Sequence, residues 1–268
     1  MLTVTGGVDR WEAVRAGDQP AGVLRAWVRP DQRCQVWFRD CHPDAYGPLV
    51  SAAVAELDRD LFTEADEPSL PGLVGLGFTV WRREHRYRIP TGAVARPNLP
   101  APSDVDLVSA GQADLDRLRR LDDALRQEIP GSDGWRWSPE EFREETFSTG
   151  FDPATYRVAV ERGTGGYVGL LRVWLRPEGP RLGCIGVLPA FRRTRVTAAL
   201  LGTVFRVLVE RGHPAIRAEI DAANRPANAL AARAGAVHTA DAYTLVLPRS
   251  AGSGATRPGG PSGTRPAA

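Results

Sequence analysis

At 268 residues the chain has room for one large domain or two small ones, each with a substantial core. Its 43% apolar and 25% charged residues are those of an ordinary soluble globular protein, and a net charge of +2 argues against general polyanion or nucleic-acid binding. All 34 basic residues are arginine, which points to a GC-rich, bacterial coding sequence rather than to a function.

The three cysteines (Cys34, Cys41, Cys184) are odd in number and lack metal-ligand spacing, so neither a disulfide framework nor a zinc site follows. His42, His85, His213 and His238 show no ligand spacing either, and no metal is expected. Without a leader sequence or a run of about eighteen apolar residues, the expectation is a cytoplasmic protein with no membrane partner.

Residues 1–20 carry little pattern beyond Trp11 and Val14 and read as a frayed or short edge element. Gly22-Val23-Leu24-Arg25-Ala26-Trp27-Val28-Arg29-Pro30 then alternates apolar and polar residues as a strand does. Gly169-Leu170-Leu171-Arg172-Val173-Trp174-Leu175-Arg176-Pro177 repeats it with six of nine positions identical, which points to internal duplication. After the first copy come a strand (35–38), an amphipathic helix (45–61) and a strand (61–66). Glu64-Ala65-Asp66 is echoed by Glu219-Ile220-Asp221, and the spacing from Gly77 to Pro90 equals that from Gly235 to Pro248.

The proline-punctuated segment 93–103 reads as a linker. Leu115, Leu118, Leu121 and Leu125 mark a helix over 112–127, and Ser138-Pro139-Glu140-Glu141 has the cap residue and proline of a helix start. Strands are expected at 156–160, 167–175, 181–187, 216–221 and 243–247, with helices over 191–211 and 225–234. The Gly-, Ser-, Pro- and Arg-rich tail 249–268 is expected to be disordered.

The junction of strand 181–187 with helix 191–211 carries the strongest functional signal. Val187-Leu188-Pro189 stops the strand, and Arg192, Arg193 and Arg195 precede a helix with Val196, Leu200, Val204 and Val207 on one face. A helix N-terminus leaves backbone N–H groups unpaired and favours negative charge, so arginines there make an anion site suited to a pyrophosphate. An ordinary strand–helix corner with solvated arginines fits the same spacing.

This run resembles the acyl-CoA pyrophosphate loop of the GCN5-related N-acetyltransferase (GNAT) superfamily, with Val187, Pro189, Arg192, Ala199, Leu200 and Leu201 in register. Arg195 and Thr197 depart from the small residues usual there, where glycine lets phosphate approach the backbone. The resemblance implies an α/β mixed-sheet acyl-CoA N-acyltransferase fold over 104–248, preceded by a degenerate partial copy over 1–92. It implies acetyl-CoA as acyl donor and direct attack by a primary amine of a small-molecule or protein acceptor, in a monomer or homodimer. By the same resemblance the cofactor would be held by Ile185, Val187, Arg192, Arg193, Thr194, Arg195, Thr197, Ala198 and Asn224. A structural relative of the family that binds acyl-CoA without turnover is the alternative.

In the first copy the corresponding corner, Asp40-Cys41-His42-Pro43-Asp44, holds two acids and no arginine. Carboxylates there would satisfy the helix amides, and no cofactor is expected. Glu219 and Asp221 share one strand face, with Glu219 the first candidate for the catalytic base; pairing with Arg217 or Arg172 is the structural alternative. Ala231 stands where many relatives carry an acid-donating tyrosine. Asp122, Asp123, Glu128 and Asp133 lie near Trp135 and Trp137, and acids beside aromatics suit a cationic amine. Asp133, Trp135 and Asp221 are therefore the substrate-binding candidates, with a solvated helix face over two core tryptophans as the structural alternative.

Overall fold

A computed structural model describes residues 2–29, 32–94, 101–132 and 134–249. Asp133, part of the linker and the tail from residue 250 lie outside them. In the first half, strands β1 (Leu2–Gly7), β2 (Arg10–Arg15), β3 (Gln19–Val28) and β4 (Cys34–Arg39) are followed by helix α1 (Tyr46–Glu56) and strand β5 (Leu61–Asp66). Helix α2 (Leu70–Gly75), strand β6 (Thr79–Pro90) and a single turn, α3 (Thr91–Val94), complete it. The second half runs β7 (Val105–Ser109), α4 (Leu115–Arg126), α5 (Pro139–Thr146), β8 (Tyr156–Glu161), β9 (Tyr167–Arg176) and β10 (Gly179–Val187). It ends with α6 (Val196–Glu210), β11 (Ala215–Asp221), α7 (Arg225–Arg233) and β12 (Val237–Leu247).

Local chemistry accounts for the helix starts. Asp114 accepts from the Arg117 amide at the head of α4, and Ser138 and Glu141 close a reciprocal capping box around Pro139 at the head of α5. The apolar stripe of α6 buries Val196, Leu200, Val204 and Leu208 against β8, β9 and β10. No helix among the described residues is long and apolar enough to cross a membrane.

The twelve strands of the described residues form one sheet in the order β1-β2-β3-β4-β5-β12-β6-β11-β10-β9-β8-β7. The order is a palindrome about the antiparallel pair β12–β6. Each half contributes its last strand to the other: β12 pairs with β5, and β6 pairs with β11. In both halves the crossover strand leaves its neighbour after a short parallel stretch. β4 meets β5 only at Cys34↔Leu61 and Gln35↔Phe62, and β10 meets β11 only at Arg181↔Arg217.

Several elements differ from the sequence expectation, among them the helix expected over 191–211, which begins at Val196 after a separate 3-10 turn. Residues 2–15 are a paired antiparallel hairpin that buries Trp11 and Ala13 beneath α1, not a frayed end. Helix α1 stops at Glu56 because Leu57 is already extended. Strand β12 begins at Val237, lengthened by its pairing with β6.

The repeated nonapeptide sits in β3 and β9, and its glycine has the same role in both. A Cβ at Gly22 would meet Cys41 of the following segment, and one at Gly169 would meet Val187 at 2.7 Å. The tryptophans differ in environment. Trp174 is 6% exposed under the layer made by α4 and α5, whereas β1 and β2 are joined by a tight turn without such helices, and Trp27 is 53% exposed.

Because β11 has β6 as its long neighbour, a fragment spanning residues 101–249 leaves β11 and β12 without their central partner. We expect it to lack a cooperative thermal transition by circular dichroism, whereas a chain spanning residues 1–249 melts in one step.

Candidate functional site

Where β10 and β11 diverge, the β11-facing side of β10 from Leu182 to Val187 has no ladder partner. Gly183 sits at a bulge in β10, and a Cβ there would lie 2.5 Å from the Trp174 ring, so glycine lets the strand bend away. The gap holds two adjoining cavities of about 140 and about 330 Å3, which share Ile129, Cys184, Ile185, Asn224, Ala227 and Leu230. Together they form an apolar slot between the strands. Arg82, Glu219 and Asp221 line one end, and Val187, Arg192 and Thr197 the other.

At the second end, Pro189–Phe191 makes a short 3-10 turn, Arg193 has a left-handed backbone (φ 63°), and α6 begins. The Thr194 hydroxyl accepts from the Val196 amide at 3.3 Å and donates to the Phe191 carbonyl at 2.6 Å. Among the described residues, the amides of Arg193, Arg195, Thr197 and Ala198 have no hydrogen-bond acceptor. Four free N–H groups at the start of a fifteen-residue helix, flanked by three arginines, form an anion-binding corner. Arg195 is α-helical (φ −80°, ψ −1°), so the site imposes no backbone strain where glycine is usual. Arg192 forms an ion pair across the mouth of the slot with Glu128, which therefore faces the corner rather than the tryptophans.

Asn224 caps α7 by accepting from the Ala227 amide at 3.2 Å and also lines both parts of the slot. Its capping and slot-lining positions coincide. Ala231 is buried in the slot wall, and no tyrosine lines the slot among the described residues. Burial pushes the Cys184 thiol up to about 11, with Asp122 reinforcing and Arg172 and Arg126 opposing the effect, so it remains protonated at neutral pH.

The acids at the far end are held by arginines from both halves. Glu219 accepts from Arg181 at 2.6 Å and Arg86 at 3.2 Å, and Asp221 accepts from Arg82 at 2.7 Å. Arg217 pairs instead with Glu178, and Arg172 with Asp122. Burial raises the Glu219 pKa, but the bonds and charges of Arg181 and Arg86 outweigh it and hold the carboxyl below the usual range. Glu84, beside Asp221 in the β6–β11 register, moves the other way. Burial raises its pKa, Arg82 opposes the shift, and Glu219 and Asp221 reinforce it. Glu219 also lines a second, separate opening with Arg86, Tyr87, Arg181, Arg217 and Thr239.

The acidic cluster beside the tryptophans separates into individual structural roles. Asp122 and Asp123 are buried, not a solvated face. Asp122 accepts from Arg126 at 2.6 Å and from the Trp137 indole at 3.2 Å, while Asp123 accepts from the Trp137 amide at 3.2 Å. Beneath them Arg172, 3% exposed, lies 3.7 Å from Asp122 and stacks 4.4 Å from the Trp174 ring centroid. Trp135 lines a different cavity, away from the slot, and Asp133 lies outside the described residues.

In the first half, Asp44 turns to Arg15 and His42 and does not cap α1, whose N-terminus has no side-chain cap bond. Sequence reasoning also missed a trio across the exchanged strands. His85 Nδ1 and His238 Nε2 both lie 2.8 Å from Asp241 Oδ1, and Arg83 binds the other oxygen. Their ligand atoms lie within 4.8 Å of one another, so the set has the donors of a metal centre, closed here by hydrogen bonds and the Arg83 charge. Residues 85 and 241 are strand partners, a relation that spacing along the chain does not reveal.

Residues 119–236 match the sequence model of the acetyltransferase (GNAT) family. The fold matches a GCN5-related N-acetyltransferase from Sphaerobacter thermophilus at 19% identity, covering 91% of this chain and 81% of that one with a TM-score of 0.66. It also matches a tandem GNAT protein from the clavulanic acid biosynthesis pathway at 16% identity, with 94% and 85% covered and a TM-score of 0.66. A GCN5-related N-acetyltransferase from Kribbella flavida matches at 18% identity, with 92% and 90% covered and a TM-score of 0.55. No curated protein matches the chain in sequence. The chain therefore has the GNAT fold, and the family match spans β10, the anion corner, β11 and α7 but not Arg82 and Ile89 of the slot wall.

Two substitutions test these contacts. Glu128→Gln frees Arg192 and is expected to tighten binding of inorganic pyrophosphate about two- to fivefold by calorimetry, the span of an exposed ion pair. Asp122→Ala strands a buried guanidinium and is expected to cost about 3–5 kcal/mol in denaturant unfolding.

Proposed function

We propose that this protein is an acyl-CoA-dependent N-acyltransferase, with the second half holding the cofactor and the first half a degenerate copy of the same fold. The observation that carries the reading is the parting of β10 and β11 into an apolar slot that ends at four unpaired amides. Apolar walls suit a pantetheine arm, and free N–H groups with arginines suit a pyrophosphate. The amides of Arg193, Arg195, Thr197 and Ala198 would hold the phosphates, with Arg192 beside them once released from Glu128. Thr194 sets the turn that presents them. Ile185, Val187 and Asn224 would line the arm, with an unladdered β10 amide as donor to the thioester oxygen. Acetyl-CoA, when bound, supplies the activated acyl group.

The far end of the slot receives the amine. A carboxylate held low by two arginines is a weak base, so Glu219 serves to orient the acceptor's ammonium group, with Asp221 beside it. The proton passes to solvent water that reaches this end of the slot. Cys184, kept protonated by burial, adds no competing nucleophile. Solvent completes protonation of the departing thiol, since Ala231 has no donor. The first half supplies Arg82 and Arg86, and thereby sets the charge on this end of the slot.

Calorimetric titration with acetyl-CoA and CoA, beside Arg192→Ala, tests the cofactor site. Micromolar binding weakened at least about tenfold in the variant supports it, and no binding of either ligand defeats it. With an amine substrate in hand, Glu219→Gln is expected to lower kcat/KM for the amine about tenfold or more while leaving the CoA affinity unchanged.

A further inference from the structure

The open face of the first half is roofed by the second. The chain after α4 lies over β3, β4 and β5 and borders an open cleft of about 530 Å3. Its floor carries Trp27, Gln35, Trp37 and Glu64, its roof carries Trp135, Trp137 and α5, and Arg29 lies at its edge against Trp135. Gln35 is the parallel partner of Phe62, so Gln35, Trp37 and Glu64 project from one face of the sheet. Trp37 pairs with Arg25 as Cys184 pairs with Arg172, at matching positions of the repeat. The cavity is thus the first half's counterpart of the slot, and it shares no lining residue with it.

Three independent features describe its occupant. Trp27 and Trp37 stack with centroids 6.3 Å apart at 19° and remain half exposed, with no arginine over either ring among the described residues. The roof shows what such rings accept here: the Arg29 guanidinium lies 5.1 Å from the Trp135 ring. Around the rings, the carboxylates of Glu64, Glu144 and Glu145 form no hydrogen bond or ion pair with any described residue. At the base, Gln35 is 6% exposed and its buried Nε2 has no partner, an amide desolvated without compensation.

From these features we propose that the cavity is a second binding site, for a small protonated organic amine. Its apolar portion lies on the Trp27–Trp37 pair, and its ammonium group faces Glu64 and the α5 carboxylates, with the Gln35 amide oxygen as a further acceptor. Aromatic faces attract a cation through the ring quadrupole, and unpaired carboxylates in the cleft add a charge-assisted hydrogen bond. The site stands apart from the acyl-transfer slot, and its occupancy does not depend on that reaction.

Hexylammonium, titrated by tryptophan fluorescence and calorimetry against neutral 1-hexanol of the same length, tests the proposal on the full chain. Saturable binding of the ammonium at least about tenfold tighter than the alcohol is expected. Trp37→Ala should weaken it about tenfold and Glu64→Gln severalfold, both sites being exposed enough to spare the fold. Glu219→Gln should leave it unchanged, which separates this cavity from the slot. Equal binding of the alcohol, no saturable binding, loss of binding in Glu219→Gln, or unchanged affinity in both cavity variants would overturn the proposal.

Discussion

The exchange of last strands is the constraint on which the rest of the structure depends. β6 leaves the first half to lie against β11, and β12 leaves the second to lie against β5, so neither half completes its sheet from its own residues. The consequence reaches the slot directly. β11 carries Glu219 and Asp221, and the strand beside it supplies Arg86 and Arg82 from the other half. The ionisation of the slot's acidic end is therefore set jointly by the two halves. A first half without its own anion-binding corner still contributes to the site through its last strand.

The repeat shows how one sequence motif is given two uses. Glycine, leucine, arginine and tryptophan recur in β3 and β9, and the glycine meets the same crowding in both. The arginine and tryptophan diverge because α4 and α5 intervene between β7 and β8. Under those helices Arg172 must be neutralised, and Asp122 with the Tyr156 and Trp174 rings surrounds it. Without them Arg25 and Trp27 face outward, and the aromatic surface is available to line a cavity. One insertion of two helices thus converts an exposed face into a core.

Much of this was legible in the sequence. The alternation of Gly22–Val28 and Gly169–Leu175, the proline stop at Pro189, the cap at Ser138 and the apolar stripe of α6 are local signals, and each of these features lies where its signal does. The edge hairpin was harder to see because only Trp11 and Ala13 mark its buried side. Partners were not legible at all. Glu219 lies 133 residues from Arg86, and Asp241 lies 156 from His85, and only the strand order brings them together. The acids around Trp137 misled for a related reason. Charge at Asp122 and Asp123 reads as solvated until Arg172 is found beneath them, on a strand 50 residues further on.

The anion corner bears on what a glycine-poor loop can do. Glycine is needed for a positive φ or for close approach of another backbone. Here the left-handed residue is Arg193, while Arg195 already has the dihedrals of a helix cap, so the departure from glycine carries no conformational penalty. A side chain at that position narrows the unfolded ensemble and so favours the turn that exposes the four amides. What remains is proximity. Arg195 is exposed and its charge matches the expected ligand, so its side chain can move aside and still contribute attraction. Thr197 stands at the slot mouth with a short branched side chain, which makes it the tighter restriction of the two. The width of the mouth thus depends more on Thr197 and the Arg192–Glu128 pair than on the more conspicuous arginine at 195.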